Sequence, residues 1–318
     1  MPIIKKIEIS CCASLESAPT ERFGDLRFLE VLSVFHCPKI KSQRLFAPSL
    51  NELHLNNSGN LGYNIECSSL TIFNLSGYPL QSIELQMWNL PLLQKLEICG
   101  CSSLTIIRDS ELISSDLSLG GARSRLGKFP RLTHLTILGC DKLETIDDLL
   151  HLPAVESIMI WSCELLSLPA NRLGCFPCLQ HLDISGCRSL DWQRGMLLPS
   201  SLQSLRLSSC WDFFAWIPSC LQNLTSLESL QICGCECIVS VPGHLWSTNL
   251  KSLQRLEFRH CPELISIGGP NATANIRNVV IEDCPKFEGH AGSGSFSMVC
   301  MTLVCCVNYG HKIMSEHF

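Results

Sequence analysis

The chain has 318 residues, 17% of them charged and 46% hydrophobic, with a formal net charge of −5. This apolar fraction is large enough for a continuous core, so disorder of the whole chain is excluded. The small excess of acidic over basic residues argues against the basic surface that a nucleic-acid-binding protein needs. No apolar run reaches the ~20 residues that span a bilayer. No apolar stretch follows Lys5 and Lys6, so we expect no secretory signal and a cytoplasmic location.

One apolar pattern recurs from Ile4 to Phe287. Its template has apolar residues at positions 1, 4, 6 and 12 and a thiol or small polar residue at position 9. Twelve copies, spaced by 20–26 residues except for one interval of 39, start at Ile4, Leu29, Leu50, Leu70, Leu93, Leu132, Val155, Leu179, Leu202, Leu227, Leu253 and Ile276. The template is the consensus of leucine-rich repeats, so the sequence predicts a solenoid of about 12 such repeats.

Positions 3 to 7 of each repeat alternate between polar and apolar residues, which is the period of a half-buried strand. We expect these strands to stack in parallel, about 4.8 Å apart, as the concave sheet of an α/β-type horseshoe. The segments between them are rich in Pro and Ser and predict irregular and 3-10 structure on the convex side. Near Leu70 the assignment is open, because Leu80, Ile83 and Leu85 also fit the template.

Cysteine is unusually frequent, with 21 copies. Position 9 lies where the chain leaves the strand and turns inward, and a free thiol is a small, weakly donating group that suits a buried place. Ten cysteines occupy this position, at Cys12, Cys37, Cys101, Cys140, Cys163, Cys187, Cys210, Cys235, Cys261 and Cys284. We predict that these thiols are buried and reduced, and that Cys175 and Cys178 react more readily.

Two segments depart from the repeat. The 39-residue interval contains extra residues, at about 108–127, that predict an exposed loop, or alternatively a degenerate repeat around Leu117 and Leu119. The solenoid is expected to span residues 1–287. Residues 288–318 are expected to be a linker and a short apolar tail, which either caps the open end of the solenoid or is poorly ordered.

No motif predicts catalysis. Five residues separate Gly121 from Gly127, and Phe129 stands where a phosphate-binding loop needs Ser or Thr for Mg²⁺. Cys175 and Cys178 have the C-x-x-C spacing, but no second pair completes a zinc site. No Ser/His/Asp grouping occurs at one place in the sequence. We therefore expect a protein that is not an enzyme and has no metal site and no cofactor.

Repeats such as LTSLESLQICGC, LPSSLQSLRLSSC and LQRLEFRHCPEL resemble those of plant intracellular nucleotide-binding leucine-rich-repeat (NLR) disease-resistance proteins of the coiled-coil type. The resemblance covers Ile4 to Phe287. It implies a non-catalytic recognition module of plant innate immunity, whose protein partner is a pathogen effector, a host guardee or its own nucleotide-binding domain. Because the repeats begin almost at Met1, without a nucleotide-binding domain before them, it also implies a fragment of such a receptor. The alternatives are a nonfunctional receptor remnant and the substrate-recognition repeats of a ubiquitin ligase.

A binding site on this fold is expected on the concave face, at positions 3, 5 and 7. Most residues at these positions are small or polar. The apolar exceptions include Phe35 and a group formed by Leu138, Met159 and Trp161, which has the composition of a binding hot spot. The alternative is that the loop at 108–127 folds over this group and buries it.

A second candidate lies near the C-terminal end of the concave face. Arg255, Glu257 and Arg259 share one predicted strand, and Glu282 belongs to the next. These four residues predict a charged protein-binding patch. The alternative is ordinary solvated charge.

Overall fold

The computed structural model describes residues 3–42, 44–108, 129–146, 152–167, 173–189, 198–209, 221–269 and 271–288. The described strands are, in chain order, β1 (Lys6–Ser10), β2 (Val31–Phe35), β3 (Leu45–Phe46), β4 (Glu52–Asn56), β5 (Ile65–Glu66), β6 (Ile72–Ser76), β7 (Ser82–Glu84), β8 (Trp88–Asn89), β9 (Lys95–Cys99), β10 (Ile106–Arg108), β11 (His134–Leu138), β12 (Ser157–Trp161), β13 (His181–Ser185), β14 (Ser204–Ser208), β15 (Ser229–Cys233), β16 (Arg255–Arg259) and β17 (Asn278–Glu282).

Twelve of these strands form one parallel sheet, in the order β1-β2-β4-β6-β9-β11-β12-β13-β14-β15-β16-β17. Each occupies positions 3 to 7 of one predicted repeat, and equivalent positions face each other in every pair. Leu135, for example, is the register partner of Leu96 on one side and of Ile158 on the other. The sequence prediction of a twelve-repeat leucine-rich-repeat solenoid is therefore confirmed.

The core is a set of parallel rows built from positions 1, 4, 6 and 12. Positions 4 and 6 are buried in every strand of the twelve-stranded sheet except its two end strands, β1 and β17. Ile7 and Ile9 in β1, and Val279 and Ile281 in β17, are only partly buried, because each end strand has a neighbour on one side only. Burying the rows against the adjacent repeats is thus what holds the repeats in place.

An unpredicted feature recurs at position 8, directly after each strand. All twelve residues there have a left-handed backbone with φ between 46° and 63°, at Cys11, His36, Asn57, Gly77, Gly100, Gly139, Ser162, Gly186, Ser209, Gly234, His260 and Asp283. The position-8 N–H donates to the position-7 carbonyl of the next strand, as Gly139 does to Trp161 at 2.8 Å. This turn extends the ladder of hydrogen bonds beyond the strands while the chain bends away from the sheet.

The position-9 thiols lie directly behind this turn. Seven of them are buried, while Cys12 is exposed and Cys284 is partly buried in the two end repeats. The Cys187 Sγ–H donates to the carbonyl of Ser185 at 3.4 Å, and Ile160 O of the preceding repeat lies 3.7 Å away. Burial raises the pKa of the Cys187 thiol to about 11. The burial prediction is confirmed for the inner repeats among the described residues; Cys210 lies outside them.

The segments that connect the repeats also contain regular structure. β3, β5 and β8 form one short parallel sheet, and β7 and β10 form another. The described connections further contain 3-10 turns and one π-helical turn, at Thr20–Asp25, Leu85–Met87, Leu173–Cys175 and Leu245–Asn249. Both registers near Leu70 are therefore used, because one forms β6 of the concave sheet and the other forms β7. No helix in the described ranges is long and apolar enough to cross a bilayer.

Two predicted segments fall outside the described ranges. The loop at 108–127 is described only at Arg108, and the linker and tail at 288–318 only at Glu288. Their boundaries stay predictions.

Candidate functional site

The structure brings the predicted apolar group together on β11 and β12. Leu138 and Trp161 are register partners, and Met159 lies two residues before Trp161 on the same face. All three side chains are half-buried. Trp161 is less exposed than the sequence suggested, because a cationic side chain from a more distant strand lies over its ring.

That cation is Arg206, at position 5 of β14. Its guanidinium carbon lies 5.9 Å from the centroid of the Trp161 ring, within the range of a cation–π interaction. The side chain reaches across β13 to make this contact and is otherwise exposed to solvent. The register of the strands does not place Arg206 beside Trp161, since the register partner of Arg206 is Asp183 on β13. Arg206 is therefore not predicted from the sequence to belong to this group.

Asp183 lies on the strand between Trp161 and Arg206. Its burial raises the pKa of the carboxyl group, although the Trp161 indole N–H and the Arg206 charge act to lower it. The indole and the carboxyl group are close but not aligned as a hydrogen bond, since Trp161 Nε1 and Asp183 Oδ1 are both buried and neither has a partner among the described residues. Buried polar atoms nearly always have partners, so this cluster carries unused hydrogen-bonding capacity.

The second predicted group, on β16 and β17, is arranged differently. Glu257 is only 3% exposed and forms ion pairs with both arginines of its own strand. Arg259 Nε lies 3.3 Å from Glu257 Oε2, and the same guanidinium also pairs with Glu282. Although partial desolvation opposes it, the charges of these two carboxylates raise the pKa of Arg259. Glu257 is thus an internal anion with its partners in place, not a solvated charge.

The remaining apolar candidate, Phe35, stands alone. It is half-buried at position 7 of β2, between Ser10 and Asn56 in the register. Three strands of the sheet separate β2 from β11. The structure therefore does not bring Phe35 into contact with the Trp161 group.

A polar group that the sequence analysis missed lies on β2, β4 and β6. His54 is the register neighbour of Ser33, which resembles a nucleophile beside a base. However, His54 Nδ1 lies 3.1 Å from the Asn74 amide nitrogen and Nε2 lies 3.4 Å from Glu52. If the Asn74 amide donates to Nδ1, then Nε2 carries the proton and donates to Glu52. Neither ring nitrogen is then left to accept a proton from Ser33.

Metal binding has no group to support it in the part of the chain that is described. No three His, Cys, Asp or Glu side chains lie there in a cluster that could hold a metal ion. Of the C-x-x-C pair, Cys178 is exposed, and the side chain of Cys175 lies outside the described residues.

The chain was compared with known proteins. No protein-family model matches it, and no curated protein matches it in sequence. Among solved structures, the leucine-rich repeat domain of the type III effector XopL has 17% identity over 85% of this chain and 78% of its own, with a TM-score of 0.46. An internalin from Listeria monocytogenes has 14% identity over 92% and 87%, with a TM-score of 0.39.

The TLR13–ssRNA13 complex is a third similar structure, with 15% identity over 86% of this chain and a TM-score of 0.32. This chain spans about half of TLR13, since 54% of that chain is covered. These likenesses are too distant to bear on what the present protein binds. The assignment of the fold depends instead on the twelve repeats and on the twelve strands that they form. On that ground, the chain is a leucine-rich-repeat solenoid.

Proposed function

We propose that the chain is a non-catalytic recognition module that binds a protein partner on its concave face, centred on Trp161. The observation that carries this proposal is the group of Trp161, Leu138 and Met159, half-buried on a face of mostly small polar residues, with Arg206 lying over the indole. Tryptophan and arginine dominate binding hot spots, because they bury large surfaces and still offer donors. Phe35 and the charged residues Arg255, Glu257 and Arg259 are expected to form outlying parts of the same surface.

A protein is favoured over a nucleic acid as the partner. The chain carries a net charge of −5. Of the five Lys and Arg residues on the described concave strands, four pair with carboxylates on the same face, so no continuous basic surface is available for phosphates.

We further propose that this module works in plant innate immunity, as the leucine-rich-repeat part of a cytoplasmic NLR receptor. Support comes from the repeat sequences and from the row of buried free thiols, which suits a reducing compartment. The partner is then a pathogen effector, a host guardee or the nucleotide-binding domain of the receptor. In this proposal residues 1–287 form the module, with an insertion at about 108–127, and residues 288–318 follow as a linker and tail.

Proximity labelling in plant leaf cells tests the proposal, with the full chain, a Trp161→Ala variant and an Asn56→Ala control. Asn56 occupies the same position 7 on β4, far from Trp161 in the sheet. The wild type and the control should both enrich a partner of one of these three classes, and Trp161→Ala should lose it. The affinity for that partner, once purified, should fall by about 2 kcal/mol or more.

The same variant can also contradict the proposal. If Trp161→Ala lowers the melting temperature and leaves the set of labelled proteins and the affinity unchanged, the Trp161 group is packing and the proposed site is wrong.

A further inference from the structure

We propose that Arg206 binds an Asp or Glu side chain of the partner, so that the concave face recognises an acidic residue next to an apolar one. This inference rests on the proposed function, because it names the chemistry of the partner at the same site.

Five Lys and Arg residues lie at positions 3, 5 and 7 of the described strands, and four of them have a carboxylate partner on the same face. Lys6 pairs with Glu8 at 3.2 Å, and Lys95 pairs with Glu97 at 2.7 Å. Both arginines of β16 also have carboxylate partners. Arg206 differs from these four: among the described residues it contacts an aromatic ring and has no carboxylate within ion-pair distance.

The donors of the guanidinium group are not used up by its contact with the indole. A guanidinium carries five N–H donors around the edge of its plane, and a cation–π contact with a ring does not require any of them as a hydrogen bond. Arg206 is exposed, so those donors are open to a ligand. Contact with Trp161 also favours positions of the long side chain near the indole, which reduces the entropy that binding must remove.

The side chains beside Arg206 fit the apolar part of such a segment. Trp161, Leu138 and Met159 lie together on one side, and each still has accessible surface. A partner that places a carboxylate on Arg206 can therefore place an apolar side chain on this group.

Asp183 acts against this ligand, because it adds a negative charge next to Arg206. The other titratable groups on this part of the face are His181 on the same strand as Asp183 and Cys233 on β15, and Glu257 on β16 lies beyond Cys233. Removing the negative charge of Asp183 should therefore strengthen the binding of an acidic segment and weaken the binding of a basic one. Both changes in affinity can be measured.

The test uses the full chain and a displayed library of random peptides. Peptides selected on the wild-type chain are synthesised with blocked ends, so that any carboxylate comes from a side chain, and their affinities are measured by fluorescence anisotropy. We expect a fixed Asp or Glu next to an apolar residue. Its replacement by Asn or Gln should weaken binding about 10-fold or more, since hydrogen bonds between charged groups are among the stronger ones.

Arg206→Gln should cause the same loss, and the two changes together should cost no more than either alone. Arg206→Lys should also weaken binding, because an ammonium group lacks the planar fork. Asp183→Asn should tighten binding several-fold, and Lys95→Gln, on a paired lysine of the same face, should change little. A cooperative melt of Arg206→Gln close to that of the wild type shows that the variant is folded.

Three outcomes would overturn the inference. Peptides that need Trp161 but tolerate Arg206→Gln would refute it and leave the proposed function intact. Basic peptides that lose affinity with Asp183→Asn would show that the carboxylate of Asp183 is the anchor instead. Peptides that tolerate both Trp161→Ala and Arg206→Gln, or no selected peptide at all, would refute the proposed site as well.

Discussion

Two clusters of charged side chains lie on the same concave sheet, only a few strands apart. On β16 and β17, Glu257 is enclosed by two arginines, one of which also reaches Glu282. On β12 to β14, Arg206 lies over Trp161, and one oxygen of Asp183 has no hydrogen-bond partner in the described part of the chain. The charges of the first cluster are paired with one another. In the second cluster, the guanidinium of Arg206 has no carboxylate within ion-pair distance among the described residues.

The difference arises from the residues two places away on the same strand. In β16, positions 3, 5 and 7 are Arg, Glu and Arg, so opposite charges lie side by side on one face. In β14 the same positions are Ser204, Arg206 and Ser208, which offer no carboxylate. A charged residue on a repeat sheet is therefore neutralised or left available by its neighbours on the same strand. Neutralised clusters should contribute mainly to stability, and available ones mainly to binding.

The largest effect that separates the clusters is expected from Glu257→Gln. Removing one partner of a fully buried ion pair costs about 3–5 kcal/mol. Here the side chains of Arg255 and Arg259 are 49% and 35% exposed and regain water, so we expect a loss of about 2 kcal/mol in the free energy of unfolding. Urea titration measures this loss. A variant as stable as the wild type would show that the ion pairs of Glu257 do not support the fold.

A smaller effect is expected from a matched pair of arginine variants. Arg259→Gln leaves two carboxylates with one fewer partner and should lower the free energy of unfolding by about 1 kcal/mol. Arg206→Gln removes only an exposed cation–π contact and should cost about 0.5 kcal/mol. Thermal melts of both variants compare them directly. Equal losses would mean that Arg206 is as much a structural residue as Arg259.

The smallest effect concerns Asp183 and pH. Its pKa is raised in the folded protein by burial, so the folded state binds this proton more tightly than the unfolded chain does. Stability therefore falls as the pH rises from the unfolded value to the folded value, and the penalty is complete above the folded pKa. Asp183→Asn should remove this penalty and raise the free energy of unfolding at neutral pH by less than about 1 kcal/mol.

The measurement is the difference in unfolding free energy between the wild type and Asp183→Asn as a function of pH. The difference should shrink as the solution becomes acidic, because the wild-type carboxyl group is then neutral as well. Other carboxyl groups, such as that of Glu84, whose pKa is lowered mainly by Arg108, titrate in both proteins and cancel. A variant that is less stable than the wild type at neutral pH would mean that Asp183 makes a favourable contact.

Apart from the two competing registers near Leu70, the strands of the sheet could be predicted to the residue, since their alternation and the spacing of the repeats are both set by burial. The left-handed turn at position 8 could not. Only five of its twelve residues are glycine, and the others include His36, Asn57 and Ser162, which adopt this conformation at a cost of about 1 kcal/mol. The short sheets between the repeats were also missed, because strands of two or three residues leave no periodic signal.

For the candidate site, register was enough to place Trp161 beside Leu138, since both are set by the backbone. It was not enough to place Arg206, whose long side chain passes over its own register partner. The position of such a long side chain depends on which groups lie within its reach. Those groups come from several repeats and are brought together only in the folded sheet. The engagement of His54 is a different case, because Asn74 is its register partner on β6 and Glu52 lies two residues before it on the same face of β4, so register is enough to place both.

The position-8 turn has a consequence for how such a protein changes over evolution. Each strand is joined to the next by backbone hydrogen bonds that continue through the turn, and the same buried rows support every repeat. Most side chains at positions 3, 5 and 7 contribute little to this framework, so they can drift without loss of the fold. A lineage of such chains can therefore accumulate variation on one face and acquire new specificities, while selection for foldability acts on the other positions.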